Sequence, residues 1–289
     1  MAKIAWYGTG LMGAGFVEAL RANGDDVVVY NRTFEKAAAL ERFGARAMRD
    51  PREAARGAER IHIMIADDAA VDALLETLDG AIAEGAVVID HSTVAPRPTA
   101  ERFARMAAKG TPFLHAPVFM SPQATRERGG VMLVAGGSAT FERVRGELEA
   151  MTHHVWYVGD HPQKAAALKL FGNEMLIVIV AGLADMFALA KSVGIGPDDA
   201  YELFSHFKPT GAIDVRGKSM VNADFTPAFE LTMARKDVRL MLETAAEAGV
   251  PLHVLPAIAA RMDALLAAGH GARDMSVLGI DALPVAVTT

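Results

Sequence analysis

Ile4-Ala5-Trp6-Tyr7-Gly8-Thr9-Gly10-Leu11-Met12-Gly13 begins as a short apolar run and closes on three glycines in G-x-G-x-x-G spacing; a helix-like stretch follows to Ala22. In this arrangement each glycine has its own task. One makes a tight turn, the next lets backbone approach a pyrophosphate, and the last lets a helix pack on a strand. The start of the helix then meets the negative phosphates with its free N–H groups. The spacing alone is weak. Here it follows the first strand and opens a helix, and Asp26-Val27-Val28-Val29-Tyr30 completes a β-α-β unit, which makes it a dinucleotide site.

The same alternation continues. Thr33 is a plausible N-cap for a helix through Glu41, and Ile61-His62-Ile63-Met64-Ile65 and Val87-Val88-Ile89-Asp90 read as strands followed by helices. Apolar runs near Phe113, Val131–Val134 and Val155–Val158 extend the sheet. The expectation is an α/β fold, with a Rossmann-type doubly wound parallel sheet over residues 1–161. After Gly159-Asp160-His161-Pro162 the strand signals fade. Gln163 to Val193 reads as one long interdomain helix, apolar over much of its circumference and buried between domains or subunits. Pro197 lies near the start of the next helix, and Thr226-Pro227 and Pro251 each precede a further one, so residues 162–289 read as an all-helical substrate and oligomerisation domain.

Composition narrows the function. The 289 residues are 52% hydrophobic and 22% charged with a net charge of -6, which supports a large core and no nucleic-acid partner. There is no cysteine, so disulfides and thiolate chemistry are excluded. The histidines form no metal signature, and no metal is expected. Met1-Ala2-Lys3 leads straight into a strand-like run, so no signal peptide is expected. The longest apolar stretch, Met175 to Ala184, reads as too short to span a bilayer, and Asp185 breaks it. No membrane partner and a cytoplasmic location are expected.

The end of the second strand selects the dinucleotide. NAD sites usually place Asp or Glu there for the ribose 2′-OH. This chain has Tyr30-Asn31-Arg32-Thr33. Arg32 can pair with a 2′-phosphate and Asn31 and Thr33 can donate to it, so the expected cofactor is NADP(H). A proton donor must come from elsewhere. Lys169 and Asn173 are four apart on the long helix and share a face, with apolar neighbours that would lower the lysine pKa. A lone helical lysine is more often a solvated residue with a snorkelling stem.

Five ordered segments resemble the β-hydroxyacid dehydrogenases, the group of 3-hydroxyisobutyrate dehydrogenase and glyoxylate/succinic semialdehyde reductase. They are Gly8-Thr9-Gly10-Leu11-Met12-Gly13; Met64-Ile65-Ala66-Asp67-Asp68-Ala69-Ala70-Val71; Asp90-His91-Ser92-Thr93-Val94-Ala95-Pro96; Lys169 with Asn173; and Lys236-Asp237. The resemblance implies that Met64, Ile65, Ala66 and Val71 belong to a loop over the cofactor. It implies that Ser92 and Thr93 line the nicotinamide side, with Thr93 touching both cofactor and substrate. Lys169 would protonate a carbonyl oxygen, Lys236 would reach over the cofactor, and Asp237 would help place it and the substrate. It also implies a small carbonyl substrate and, with the apolar helix, a homodimer or homotetramer.

One segment departs from the pattern. The family usually reads D-A-P-V-S-G-G where this chain has His115-Ala116-Pro117-Val118-Phe119-Met120-Ser121. Either the pocket is smaller or more apolar, or Ser121 takes over the hydroxyl role, or the substrate lacks the usual carboxylate, or Phe119 and Met120 pack elsewhere. Arg126 and Arg128 are candidate replacement anion contacts. Two rival readings stand beside the aldehyde or keto reductase: an imine reductase, which usually replaces the lysine, and a non-catalytic dinucleotide-binding protein.

Overall fold

The computed structural model describes residues 3–282. Met1 and Ala2, and the last seven residues of the range read as helical, lie outside the described residues. The chain forms two compact units that divide between Glu174 and Met175.

The first unit alternates strand and helix as β1 (Lys3–Tyr7), α1 (Leu11–Ala22), β2 (Asp26–Tyr30), α2 (Phe34–Ala38), β3 (Arg46–Met48), α3 (Pro51–Ala55), β4 (Arg60–Ile63), α4 (Asp68–Thr77), β5 (Val87–Asp90) and α5 (Pro96–Ala108). Then come β6 (Phe113–His115), β7 (Val118–Phe119), α6 (Pro122–Arg126), β8 (Val131–Ala135), α7 (Ser138–Glu149), β9 (His154–Gly159) and the long α8 (Lys164–Ser192). The sheet order is β3-β2-β1-β4-β5-β6-β8-β7, with β9 on β8. From β3 to β6 every pairing is parallel.

The far edge corrects a purely parallel expectation, because β8 runs antiparallel to both β6 and β7. Between β6 and β8 the chain holds only β7 and the five-residue α6. The connection returns as β7, which pairs directly with β8, instead of packing a crossover helix on the sheet. The helix expected through Glu41 is also shorter: α2 ends at Ala38 and a 3₁₀ turn takes Glu41–Phe43. Two apolar layers cover the sheet, one around Trp6, Phe16, Val29 and Leu148 and the other around Tyr7, Ile61, Leu75 and Val88.

The second unit contains the later part of α8 with α9 (Pro197–His206), α10 (Gly211–Val221), α11 (Leu231–Glu247) and α12 (Leu255–Ala267). Its core joins Leu231, Ala234 and Val238 to Met262, Leu265 and Val277. Asp185, only 4% exposed, accepts from the backbone N–H groups of His253, Val254 and Leu255 at 2.8–3.1 Å and thereby caps the entry to α12. The apolar run read as too short for a bilayer lies inside a 29-residue helix that contains an 18-residue window of mean hydropathy 1.9, long and apolar enough to cross one. Only 6% of that window is buried in this chain and Met175–Val180 are exposed, which corrects the expectation of a covered helix, although Asp185 further along is buried and fully engaged with neighbouring backbone.

Candidate cofactor and active site

The glycine turn is built around close backbone contacts. Gly8 has φ +95°, and a Cβ there would lie 2.1 Å from the Met64 carbonyl oxygen. A Cβ on Gly13 would lie 2.0 Å from the Gly8 carbonyl oxygen, so helix and turn touch through backbone alone. The buried Trp6 indole N–H donates to that same Gly8 oxygen at 2.9 Å. Gly10 differs: among the described residues, no atom beyond its chain neighbours and the helix's own backbone lies within 4 Å of a Cβ placed there. Gly10 is also the N-cap of α1 and supplies no side-chain cap, so the first N–H groups of the helix open onto the space beside it. A pyrophosphate group fits this cradle: open at the middle glycine, closed behind it, and faced by a helix N-terminus.

At the end of β2, Asn31 is partly committed to the protein. Its Oδ1 accepts from Thr9 N at 3.1 Å and its Nδ2 donates to Thr33 O at 2.9 Å. It therefore splints the two turns with its Oδ1 and one amide N–H, and its second N–H is left for a phosphate. Thr33 is the N-cap of α2 but makes no side-chain cap bond, and Arg32 is exposed. Sequence reading missed Arg49. It directly follows β3, whose Met48 is paired with Tyr30, and its guanidinium lies 3.7 Å from the Phe34 ring centre. The signal was hidden because β3 has only three residues.

The loops after β4 and β5 are bound to each other. Ser92 Oγ accepts from Ile65 N at 3.0 Å, and Ser92 N donates to Asp90 at 2.9 Å. Asp68 accepts from Ala95 N at 3.1 Å and from Arg102 at 2.6 Å, while Arg102 also reaches Asp72 at 2.8 Å. Arg102 is completely buried and was not singled out from sequence, where it is one arginine among several on a helix. Two expectations change here. Val71 is 0% exposed within the core and offers no surface to a cofactor. Ser92 is 1% exposed, so its hydroxyl braces the loops and has no face for a substrate. Thr93, Ala66 and Leu11 are exposed, and Met64, Ile65 and Met12 are half-buried.

Lys169 and Asn173 meet as their helical spacing predicts, with Nζ donating to Asn173 Oδ1 at 3.0 Å. Burial drives the Lys169 ammonium below the ordinary lysine range. The Phe119 ring lies over it, with Nζ 4.2 Å from the ring centre. That ring also presses on α8 at Gly172, where a Cβ would come within 2.3 Å of it. The departure from the family pattern thus sits on the lysine. Met120 packs instead against the apolar layer around Trp6. Ser121 Oγ caps α6 by accepting from Ala124 N at 3.1 Å. Arg126 is bound to Glu18 through two contacts of 2.7 and 3.0 Å, and Arg128 points to Asn23 at 3.4 Å. In the second unit, Lys236 pairs with its neighbour Asp237 at 2.8 Å on α11.

Comparison with known proteins agrees with this geometry. A family profile described as the NAD binding domain of 6-phosphogluconate dehydrogenase matches residues 3–159. One described as NAD-binding of NADP-dependent 3-hydroxyisobutyrate dehydrogenase matches residues 164–279. The chain is 30% identical to a 3-sulfolactaldehyde reductase of Escherichia coli (strain K12), covering 96% of this chain and 95% of that one. It is 30% identical to the chloroplastic glyoxylate/succinic semialdehyde reductase 2 of Arabidopsis thaliana, over 83% of this chain and 68% of that one. Among solved structures it shares the fold of an imine reductase from Myxococcus stipitatus in complex with NADP+, with TM-score 0.90, 20% identity and coverage of 96% and 99%. Cradle, paired lysine and asparagine, and matches spanning both units lead to one assignment: the chain belongs to the β-hydroxyacid dehydrogenase family and is a nicotinamide-dinucleotide-dependent oxidoreductase.

Proposed function

We propose that the protein is an NADP(H)-dependent reductase that interconverts a small aldehyde or keto compound, in the first instance a semialdehyde acid, with its hydroxy form. The observation that carries this reading is the desolvated Lys169 ammonium held by Asn173 at 3.0 Å. When bound, NADPH supplies a hydride to the carbonyl carbon. Lys169 gives a proton from Nζ to the carbonyl oxygen and is reprotonated from solvent, while Asn173 fixes Nζ in place. The glycine turn and α1 hold the pyrophosphate, and Arg32, Thr33 and Arg49 hold the 2′-phosphate. Leu11, Met12, Met64, Ile65, Ala66 and Thr93 supply the remaining cofactor surface, and Phe119 borders the substrate. Lys236 and Asp237 are assigned to the nicotinamide side on family resemblance.

The relatives named for reduction of sulfolactaldehyde and of glyoxylate or succinic semialdehyde support a small aldehyde. A second reading is imine reduction, favoured by Phe119 over the lysine and by the shared fold. Lys169 weighs against it and against a non-catalytic binding protein. A cytoplasmic homodimer or homotetramer is the expected setting. Its support is the exposed apolar run from Met175 to Val180 on α8.

Purified protein assayed with NADPH and NADH against glyoxylate, succinic semialdehyde, other small semialdehydes and a cyclic imine tests this. Aldehyde turnover preferring NADPH, reduced at least 100-fold in Lys169→Ala, is the expected result. Turnover of the imine alone selects the second reading. Full activity in the variant removes Lys169 as the acid, and a preference for NADH removes the 2′-phosphate assignment.

A further inference from the structure

A cavity of about 300 Å³ lies in the first unit, at the amino end of β4 between α1 and α7. Its size is at the small end of the range for ligand pockets, roughly 300–1,000 Å³. The glycine turn follows the carboxyl end of β1, which runs parallel to β4, so the two sites lie at opposite ends of the strands. Phe16, Leu20 and Met151 provide apolar wall, and Arg60 and His62 enter from alternate positions of β4 on one face of the sheet.

The polar groups have a definite sense. His91 Nδ1 is 2.7 Å from the Ala116 carbonyl oxygen, which only accepts, so Nδ1 carries the proton. Burial holds His91 neutral, its pKa lowered from 6.5 to about 4. His91 Nε2 is therefore a lone pair, and His62 Nδ1, 2.9 Å away, must donate to it. His62 Nε2 is left as an acceptor. His62 is 1% exposed, lines the cavity, and its Nε2 has no partner among the described residues.

Arg60 is 5% exposed, and its Nε also lacks a partner. Its guanidinium meets Glu147 at 3.2 Å and Asp25 at 3.9 Å, both on the cavity lining. Two carboxylates against one guanidinium leave a net charge of -1. A group entering here meets an unpaired imidazole acceptor, an excess of negative charge and an apolar wall that includes an aromatic ring. An anion is repelled. A small organic ammonium ion satisfies all three: it donates to His62 and Glu147 and lays its carbon chain on Phe16 and Leu20. A hydroxyl on the ligand would accept from Arg60 Nε–H.

We propose that this cavity is a second small-molecule site, separate from the dinucleotide cradle, that binds a primary ammonium ion with a short apolar tail.

The test is titration of the full-length protein with n-butylammonium, n-butanol and n-butyrate, observed through ¹³C-methyl methionine NMR. Met151 lines the cavity and reports it; its signal is assigned with Met151→Leu. The expected result is a saturable shift of the Met151 methyl with butylammonium, at least fivefold weaker with butanol and absent with butyrate. It persists with saturating NADP+, because the cradle is at the other end of the sheet. Glu147→Gln changes a partly exposed side chain, so the fold survives, and it should weaken butylammonium at least fivefold. His62→Phe keeps an aromatic ring while deleting the acceptor, and should do the same. Equal response to butyrate, displacement by NADP+, or an unaffected Glu147→Gln overturns the proposal. A Met151 signal that does not move overturns it as well. None of these outcomes bears on carbonyl reduction, which the Lys169 assay reads separately.

Discussion

Gly10 and Gly13 stand three residues apart and answer to different constraints. A methyl group at Gly13 meets the Gly8 carbonyl oxygen at 2.0 Å, whereas one at Gly10 meets open space. Gly13→Ala should therefore cost stability, about 1–3 kcal/mol or more, seen as an earlier urea midpoint. Gly10→Ala should leave that midpoint nearly unchanged yet weaken dinucleotide binding by tenfold or more, measured by quenching of protein fluorescence. Phe119 offers a comparable test. Burial lowers the Lys169 pKa, and Phe119 supplies part of that cover. An acid catalyst loses activity as pH rises through its pKa, so the reductase rate should fall on the alkaline side. Phe119→Ala admits water, raises the lysine pKa and moves that fall to higher pH. A limb that stays put or moves down would show that the ring does not desolvate the ammonium. The Lys169–Asn173 contact was readable in advance, because residues four apart on a helix must face one another. The burial of Val71 and Ser92 was not, because a motif gives position along the chain and says nothing of which atoms cover it.

The longer elements could be read from period and punctuation. The bounds expected for α1, β2 and β5 are those observed, and α8 begins and ends within one residue of Gln163 and Val193. The short strands β3 and β7, three and two residues long, carry too few positions to show alternation. Thr226-Pro227 precedes a helix, α11, as read, but does not set its first residue. The segment after it stays extended because Asp274 accepts from Ala228 N and Phe229 N at 3.1 and 2.9 Å, and α11 starts only at Leu231. A carboxylate 46 residues downstream sets that boundary, beyond any local signal. Asp185 does the same for α12 with three N–H groups. Asp185→Asn removes the charge from these bonds and puts an amide donor against backbone donors. It should cost about 2–3 kcal/mol, measurable as a fall in the helical unit's thermal midpoint.

The whole molecule should be sensitive to acid before its carboxylates titrate. His91 has a pKa near 4 in the fold against 6.5 as its ordinary value, so the unfolded chain binds a proton that the folded one refuses. A depressed pKa gives stability that is complete above 6.5 and drains away as pH falls toward 4. At about 1.4 kcal/mol per pH unit the loss approaches 3 kcal/mol. Burial alone would raise Asp185 and Asp274, but their backbone N–H partners bring both below the ordinary aspartate value of 3.8, so their contribution disappears only at lower pH still. Urea unfolding followed by Trp6, the fully buried one of the two tryptophans, should show a clearly lower midpoint at pH 5 than at pH 7.5. Burial holds His62 well below its ordinary value too, so His91→Gln should lessen that difference without removing it; a wild-type midpoint that does not move would mean that both histidines are accessible to protons in the fold.

The division between Glu174 and Met175 falls in the middle of α8, not in a loop. A chain joined this way cannot be recombined like beads on a string. Each residue inserted after Asn173 turns every later side chain of the helix by about 100°. Asp185 and the His253–Leu255 backbone lie together beyond such an insertion and keep their bonds, so the whole turn falls on the stretch between the Lys169–Asn173 pair and Asp185. Relatives that exchange or grow material should do so in the surface turns, such as those at Gly80 and Gly110, and should keep the number of residues between Asn173 and Asp185 fixed.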